Sequence, residues 1–157
     1  MFESGTAVAR ALEAAGADLA DAQRQPNGVD LTAGAVYEQV EAGRIGTDDK
    51  TVGERTTIAP DDGVYELDPG AYVVEYGEPV KIPEGTVGFV YPRSSLLRNS
   101  CMLNTAVWDA GYEGVGEGLL QVGKPIEIEP GARIAQLVLA EADHDGTYDG
   151  SYQGERL

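Results

Sequence analysis

Cysteine, histidine and lysine are almost missing from this chain of 157 residues: one Cys, one His and three Lys. The single Cys101 excludes an intrachain disulfide, which fits a reducing cytoplasm or a chain that needs no bridge. No positioned base stands near it in the sequence, which argues against a catalytic thiol. His144 lies between Asp143 and Asp145. One imidazole with so little around it excludes the usual zinc site and reads as a solvated loop. No long apolar run is present, which excludes a transmembrane helix. The opening Met-Phe-Glu-Ser-Gly-Thr has neither a basic n-region nor an apolar h-region, so no signal peptide is expected. There is no P-loop, no Cys-x-x-Cys pair and no nucleophile elbow.

Acid is abundant. Asp and Glu number 27 against 11 Lys and Arg, a net charge of −16. Such a surface repels nucleic-acid backbones and anionic membranes, so neither is expected as a partner. It suits a protein kept soluble in concentrated salt, as in a halophilic cytosol, although charge alone also fits a mesophilic acidic protein.

The length predicts a single domain over 1–157. Residues 1–25 form an N-terminal helical segment, with Val8, Leu12, Ala15 and Leu19 as one apolar stripe of a helix over 5–22. Arg10 and Glu13 lie off that stripe at i, i+3 spacing. Beyond Pro26 and Gly28 the pattern is β. Strands are expected at 29–36, 56–58, 63–67, 71–75, 79–82, 86–91, 101–104, 114–122, 125–128 and 133–140, parted by Gly, Pro and Asp turns. Residues 42–55 read as an exposed insertion and 143–157 as a mobile polar tail. Many short strands at this spacing give an all-β sandwich, jelly roll or barrel.

Four clusters carry candidate chemistry. Arg93 and Arg98 are the only basic residues between Lys81 and Lys124, and they flank Ser94 and Ser95. Guanidinium forks and hydroxyls match phosphate oxygens, and a short helical turn there would add free amides. The same tetrad also fits a surface turn with serine caps. Asp109, in Asp-Ala-Gly-Tyr-Glu-Gly, is a candidate base for water, shielded by Trp108, with Tyr112 placed to pack on a sugar ring. An ordinary Asp-x-Gly turn has the same letters. Asp30, in Gly-Val-Asp-Leu, is a second carboxylate that can orient water around Mg²⁺ held by phosphates, or cap its own strand. Gln136 points opposite Leu137 and so can face a ligand.

In this order the four clusters resemble the trimeric dUTPase and dCTP deaminase superfamily, most closely its archaeal dUTPase branch, over roughly residues 26–154. Gly28–Leu31 is similar to the first motif. Leu67–Gly70 and Val80–Pro83 resemble the strands that lead on from it. Pro92–Leu96 with Arg98 is similar to the second motif, Asp109–Gly114 to the third, Pro130–Leu137 to the fourth, and Tyr148–Gly154 to the deaminase-side tail.

The resemblance implies a distorted jelly roll assembled as a homotrimer with sites shared between subunits, in the cytoplasm. It implies hydrolysis of dUTP to dUMP and diphosphate with Mg²⁺ on the triphosphate. Asp109 would activate water for attack at the α-phosphorus. Arg93, Ser94, Ser95, Arg98 and Gln136 would hold phosphates, and Tyr112 would lie under the deoxyribose. Backbone at Asn104, Thr105 and Ala106 would read the uracil edge, and Tyr152 and Gln153 would serve the tail. The alternatives are a dCTP deaminase, alone or bifunctional, and a non-catalytic deoxynucleotide-binding regulator. Deaminases of the superfamily carry a Glu ten residues after the motif-three Asp. Here that position is Leu119, with Glu117 and Gln121 two residues to either side on the same strand face. Ser151 stands where deaminases usually place Lys, and the Gly-rich fifth motif of bacterial and eukaryotic dUTPases is missing.

Overall fold

In the computed structural model, which describes residues 1–157, helix α1 (Gly5–Ala14) begins where the Ser4 hydroxyl accepts the Ala7 amide. It ends at Ala14 rather than at 22. Gly16 takes φ +96°, a left-handed turn that only glycine adopts freely. Its amide bonds Glu13 O while the Ala17 amide reaches back to Leu12 O, the Schellman closure of a helix. Leu19 still enters the core, but from the chain beyond the helix. Glu13 pairs with Arg24, not with Arg10.

The remaining elements are strands with one short helix. They run β1 (Arg24–Gln25), β2 (Gly28–Gln39), β3 (Arg44–Ile45), β4 (Lys50–Thr51), β5 (Arg55–Ile58), β6 (Tyr65–Leu67), β7 (Gly70–Lys81) and β8 (Thr86–Pro92). After them come α2 (Ser94–Arg98), β9 (Cys101–Asn104), β10 (Glu113–Val122), β11 (Ile126–Ile128) and β12 (Arg133–Glu141). The main antiparallel sheet follows the path β8-β12-β2-β7-β10-β9, with β1 and β5 also paired to β2. Its two end strands, β8 and β9, touch one another, so the sheet curls into a nearly closed barrel. β6 pairs β11, and β3 pairs β4 as an exposed hairpin within the expected insertion. No helix is long and apolar enough to cross a membrane.

β7 is continuous where two strands were expected. A Cβ on Gly77 would lie 2.3 Å from Thr32 Oγ1, so glycine lets β2 approach. Pro79, which has no amide to donate, stands opposite Val115 where the β7–β10 register shifts. A proline next to a ladder irregularity removes no bond that the ladder needs.

One core of 29 buried residues fills the barrel, with Val8 and Leu12 of α1 packed on Val29, Leu31, Val74, Val80, Leu120, Leu137 and Leu139. On β10 three successive inward positions, Gly114, Gly116 and Gly118, carry no side chain. Aromatic rings take that volume. A Cβ on Gly116 would come within 2.0 Å of the Trp108 ring, one on Gly118 within 2.6 Å of Tyr76 Oη, and one on Gly114 within 2.8 Å of Tyr112 Oη. Tyr76 and Trp108 lie 6.1 Å apart, and Trp108 and Tyr112 meet edge to face at 5.1 Å. The glycines of β10 therefore set where Trp108 and Tyr112 sit, and with them the segment between.

Two outcomes follow from this packing. Gly116→Val should displace the indole and destabilise the fold by about 1–3 kcal/mol or more, the usual cost of overpacking. Trp108 is the only tryptophan, so its emission should shift to the red, and an unshifted spectrum with unchanged urea unfolding would refute the packing. Burial also raises the Tyr112 phenol to about 12 and drives Tyr76 further up. An unfolded tyrosine loses its proton near pH 10. These two rings thus contribute stability that is intact below pH 10 and lost as pH rises toward the folded values. Tyrosinate absorbance should show a fraction withheld above pH 10 and released on unfolding. A single midpoint near 10 for all eight tyrosines would contradict this.

Candidate active site

Asp109 lies in the loop between β9 and β10, and that loop is fastened at several points. Trp108 and Gly88 exchange backbone hydrogen bonds at 3.1 and 2.8 Å. Gly111 N donates to Ile82 O at 2.8 Å, and Ile82 N to Tyr112 O at 2.9 Å. Thr105 Oγ1 donates to Val90 O at 3.1 Å. Gly111 turns the chain with φ +85°. Trp108, Ala110 and Tyr112 are buried, so the Asp109 side chain, at the alternate position, is directed outward. Its carboxylate has no partner in the chain, and it lines a cavity of about 380 Å³.

Of the residues expected at the site, that cavity brings together Asp109, Tyr112, Ala106 and Tyr152, with Trp108 as an apolar wall. Asn104, Thr105 and Ala106 line an adjoining, shallower cavity with Leu119. Gln153 stands beside the loop, its Nε2 donating to Gly111 O at 3.0 Å and its Oε1 accepting from Glu113 N at 3.2 Å. Other tail residues share the same face. Tyr148 N donates to Ala110 O at 2.7 Å, and the Tyr148 ring meets Tyr112 edge to face at 5.5 Å. Val115 N donates to Glu155 O at 2.9 Å.

Both cavities share two charged side chains, Arg55 and Glu117. Arg55 Nη1 donates to both Glu117 oxygens, at 2.9 and 2.8 Å. Arg156, from the tail, adds a contact of 2.8 Å to Glu117 and one of 2.6 Å to Glu75. Arg55, Arg156, Tyr148 and Glu155 were not read from the sequence as site residues. Arg55 closes a polar stretch that reads as an exposed insertion, and no local pattern marks it.

The remaining expected residues form a second group. Arg93 precedes α2, its amide bonded to Ile134 O at 2.9 Å. Its Nε lies 3.2 Å from Asp30 Oδ2, as does Arg133 Nη1, and Gln25 Nε2 donates to the same oxygen at 3.2 Å. Burial raises the Asp30 pKa against the opposing pull of Arg93 and Arg133. Gln136 is the register partner of Asp30 on one side and of Tyr91 on the other. Ser94, Ser95 and Arg98 are exposed, and Arg98 makes no ion pair. None of Arg93, Ser94, Ser95, Arg98 and Gln136 lines the Asp109 cavity. One chain therefore presents a carboxylate with an aromatic pocket at one place and an arginine–serine face at another. No three His, Cys, Asp or Glu side chains converge to hold a metal.

Comparison with known proteins places this geometry. A family model described as dCTP deaminase-like matches residues 3–142. A Halobacterium salinarum protein named probable deoxyuridine 5'-triphosphate nucleotidohydrolase is 57% identical, over 99% of this chain and 96% of its own length. An Aeropyrum pernix protein of the same name is 48% identical, over 85% of this chain and 86% of its own. Among solved structures, the 2'-deoxycytidine 5'-triphosphate deaminase of Agrobacterium tumefaciens superposes with a TM-score of 0.70 at 23% identity. It is matched over 90% of this chain, which spans about half (48%) of that protein. The fold, the span of the match and the relatives agree, and this chain belongs to the dCTP deaminase-like family.

Proposed function

We propose that this chain is a dUTP diphosphatase, hydrolysing dUTP to dUMP and diphosphate. The observation that carries the reading is Asp109. It is a carboxylate with no partner in the chain, held by a fastened loop at a cavity walled by Trp108 and Tyr112. Such a group can accept a proton from water. The relatives named as deoxyuridine triphosphate nucleotidohydrolases support the same reading.

In this mechanism the base is read along Asn104, Thr105 and Ala106, and the deoxyribose lies against Tyr112. Asp109 takes a proton from water as its oxygen bonds the α-phosphorus. The bond from that phosphorus to the α,β-bridging oxygen breaks, and the electron pair leaves with diphosphate. The α-phosphate, now dUMP, keeps the water oxygen. Arg93, Arg98, Ser94, Ser95 and Gln136 neutralise and orient the phosphates, which is most of what phosphoryl transfer needs. Tyr152 and Gln153 cover the site from the tail. Mg²⁺, bound on the triphosphate, would offset its charge. Asp30 suits the role of an anchor for Arg93 better than that of a metal ligand, because its side chain is only 2% exposed and Oδ2 already accepts from Gln25 and Arg133 and pairs with Arg93.

The separation of Asp109 from the arginine–serine face supports a site completed by a second copy of the chain, as in a cytoplasmic homotrimer. Exposed Tyr91, Leu97 and Met102, on the adjoining β8, α2 and β9, offer apolar surface for such an assembly.

Deamination of dCTP is the second reading, and two features disfavour it. Leu119 occupies the position where deaminases carry their Glu. Glu117, on the same face, has both oxygens bonded to Arg55 and one to Arg156, which leaves it poorly placed to shuttle protons. A regulator that binds without turnover would have no need of a free Asp109.

Asp109→Asn should abolish dUMP release, by at least about 10³-fold, with dUTP binding and melting temperature kept. Retained hydrolysis would remove Asp109 from the mechanism. Arg98→Gln should also be inactive alone. Mixed and refolded in equal amounts, the two variants should regain about a quarter of parental activity, the share of sites that combine an intact Asp109 with a neighbour's intact Arg98. A mixture as inactive as its parts would place the whole site within one subunit.

A further inference from the structure

We propose that Arg55 is a specificity-determining residue, a fixed donor that meets the C4 oxygen of the pyrimidine and so admits uracil over cytosine. This rests on the reading above, in which the base lies along Asn104, Thr105 and Ala106.

The polar side chains of the shallower cavity are Asn104, Thr105, Arg55 and Glu117. Asn104 Nδ2 donates one hydrogen to Gln121 Oε1 at 2.8 Å and keeps a second beside its accepting oxygen, so this amide suits either base. Thr105 Oγ1 donates to Val90 O. Both oxygens of Glu117 accept from Arg55, and one also from Arg156. Arg55 is left with donors to offer. Its Nη1 serves Glu117, its Nε is buried without a partner, and its Nη2 is neither bonded within the chain nor buried. The side chain is about one-quarter exposed (24%) and lines both the Asp109 cavity and the base-side cavity.

Chemistry then fixes what this donor selects. A guanidinium only donates hydrogen bonds. Uracil presents a carbonyl oxygen at C4, which accepts, and cytosine presents an amine there, which donates. A donor held facing that position pairs with the first and leaves the second unpaired, and a polar site left unpaired is how binding pockets reject close analogues. Glu117 is the positioning residue. Both of its oxygens accept from Nη1, which ties that nitrogen to the carboxylate and leaves Nη2 to meet the base. The device needs Arg55 and Glu117 together, which accounts for an acidic residue within a cavity that must take an anionic nucleotide.

The test is equilibrium binding, read by calorimetry, of the non-hydrolysable imido analogues of dUTP and dCTP with Mg²⁺. The parent should prefer the uracil analogue. Arg55→Met, similar in length and without donors, should lose that preference by at least about tenfold, the scale of one charge-assisted hydrogen bond, chiefly through weaker binding of the uracil analogue. Glu117→Gln should lose part of it. Equal weakening toward both analogues would make Arg55 a phosphate contact and overturn the proposal, as would an unchanged preference or a parent that does not discriminate. Should Arg55→Met fail to fold, Arg55→Gln carries the test. Its amide offers both a donor and an acceptor and so suits either base; the preference should fall, and full retention of preference would refute the assignment. Release of dUMP by the parent is measured separately. Its absence would sink the hydrolase reading and leave the base preference standing on the binding data.

Discussion

The fit of three aromatic rings against three glycines of β10 is the constraint on which the site depends. Gly114, Gly116 and Gly118 leave the inner face of that strand bare, and Tyr112, Trp108 and Tyr76 fill it. Trp108 and Tyr112 then lie on either side of Asp109, both driven inward by burial. A carboxylate set between two such rings at alternate positions has one direction left. The bonds from Gly88 and Ile82 fasten the backbone, but the rings decide which side chains are in and which is out. The placement of this proposed base is a by-product of core packing, which needs no dedicated hydrogen bond to the Asp109 carboxylate.

Charge is organised around this frame in the opposite sense to the rest of the chain. The chain is strongly acidic, with a net charge of −16, yet arginines gather in pairs at two places. Arg93 and Arg133 share Asp30, and Arg55 and Arg156 share Glu117. Around Asp30 one carboxylate orders two guanidinium groups and leaves an excess of positive charge, whereas Arg156 also pairs with Glu75 and Glu155, so that the second cluster fixes its arginines without making the place positive.

Much of this was legible in the amino-acid sequence, and the failures have physical causes. β9 falls on the expected Cys101–Asn104, and β2, β5, β8, β10, β11 and β12 overlap their expected ranges closely, because alternation and Gly or Pro turns are local signals. The helix over 5–22 was overextended because its apolar stripe continues to Leu19 while Gly16 ends the hydrogen bonding. The period belongs to side chains and the termination to backbone. β7 looked interrupted because Gly77 and Pro79 are breakers in isolation, and only the approach of β2 and the shifted register with β10 make them useful. At the site, Asp109 and Tyr112 could be picked out because they share one short turn, and Ala106 followed only from the family resemblance. Arg55 and Arg156 could not, since their bonds to Glu117 span 62 and 39 residues and leave no trace in either segment. Glu117 stood out only as a near neighbour of a missing Glu, and its actual partners were invisible.

Hydrolysis of dUTP at Asp109, with no deamination of dCTP, is the proposed chemistry. Incubation of the purified protein with dUTP and separately with dCTP, in molar salt with Mg²⁺, tests it most directly. Products are resolved by anion exchange and ammonia is assayed alongside. The account predicts dUMP and diphosphate from dUTP, and no ammonia from dCTP. Ammonia with dUTP or dUMP formed from dCTP would contradict it, and would mean that Glu117 leaves its arginines during the reaction and takes the role Leu119 cannot fill.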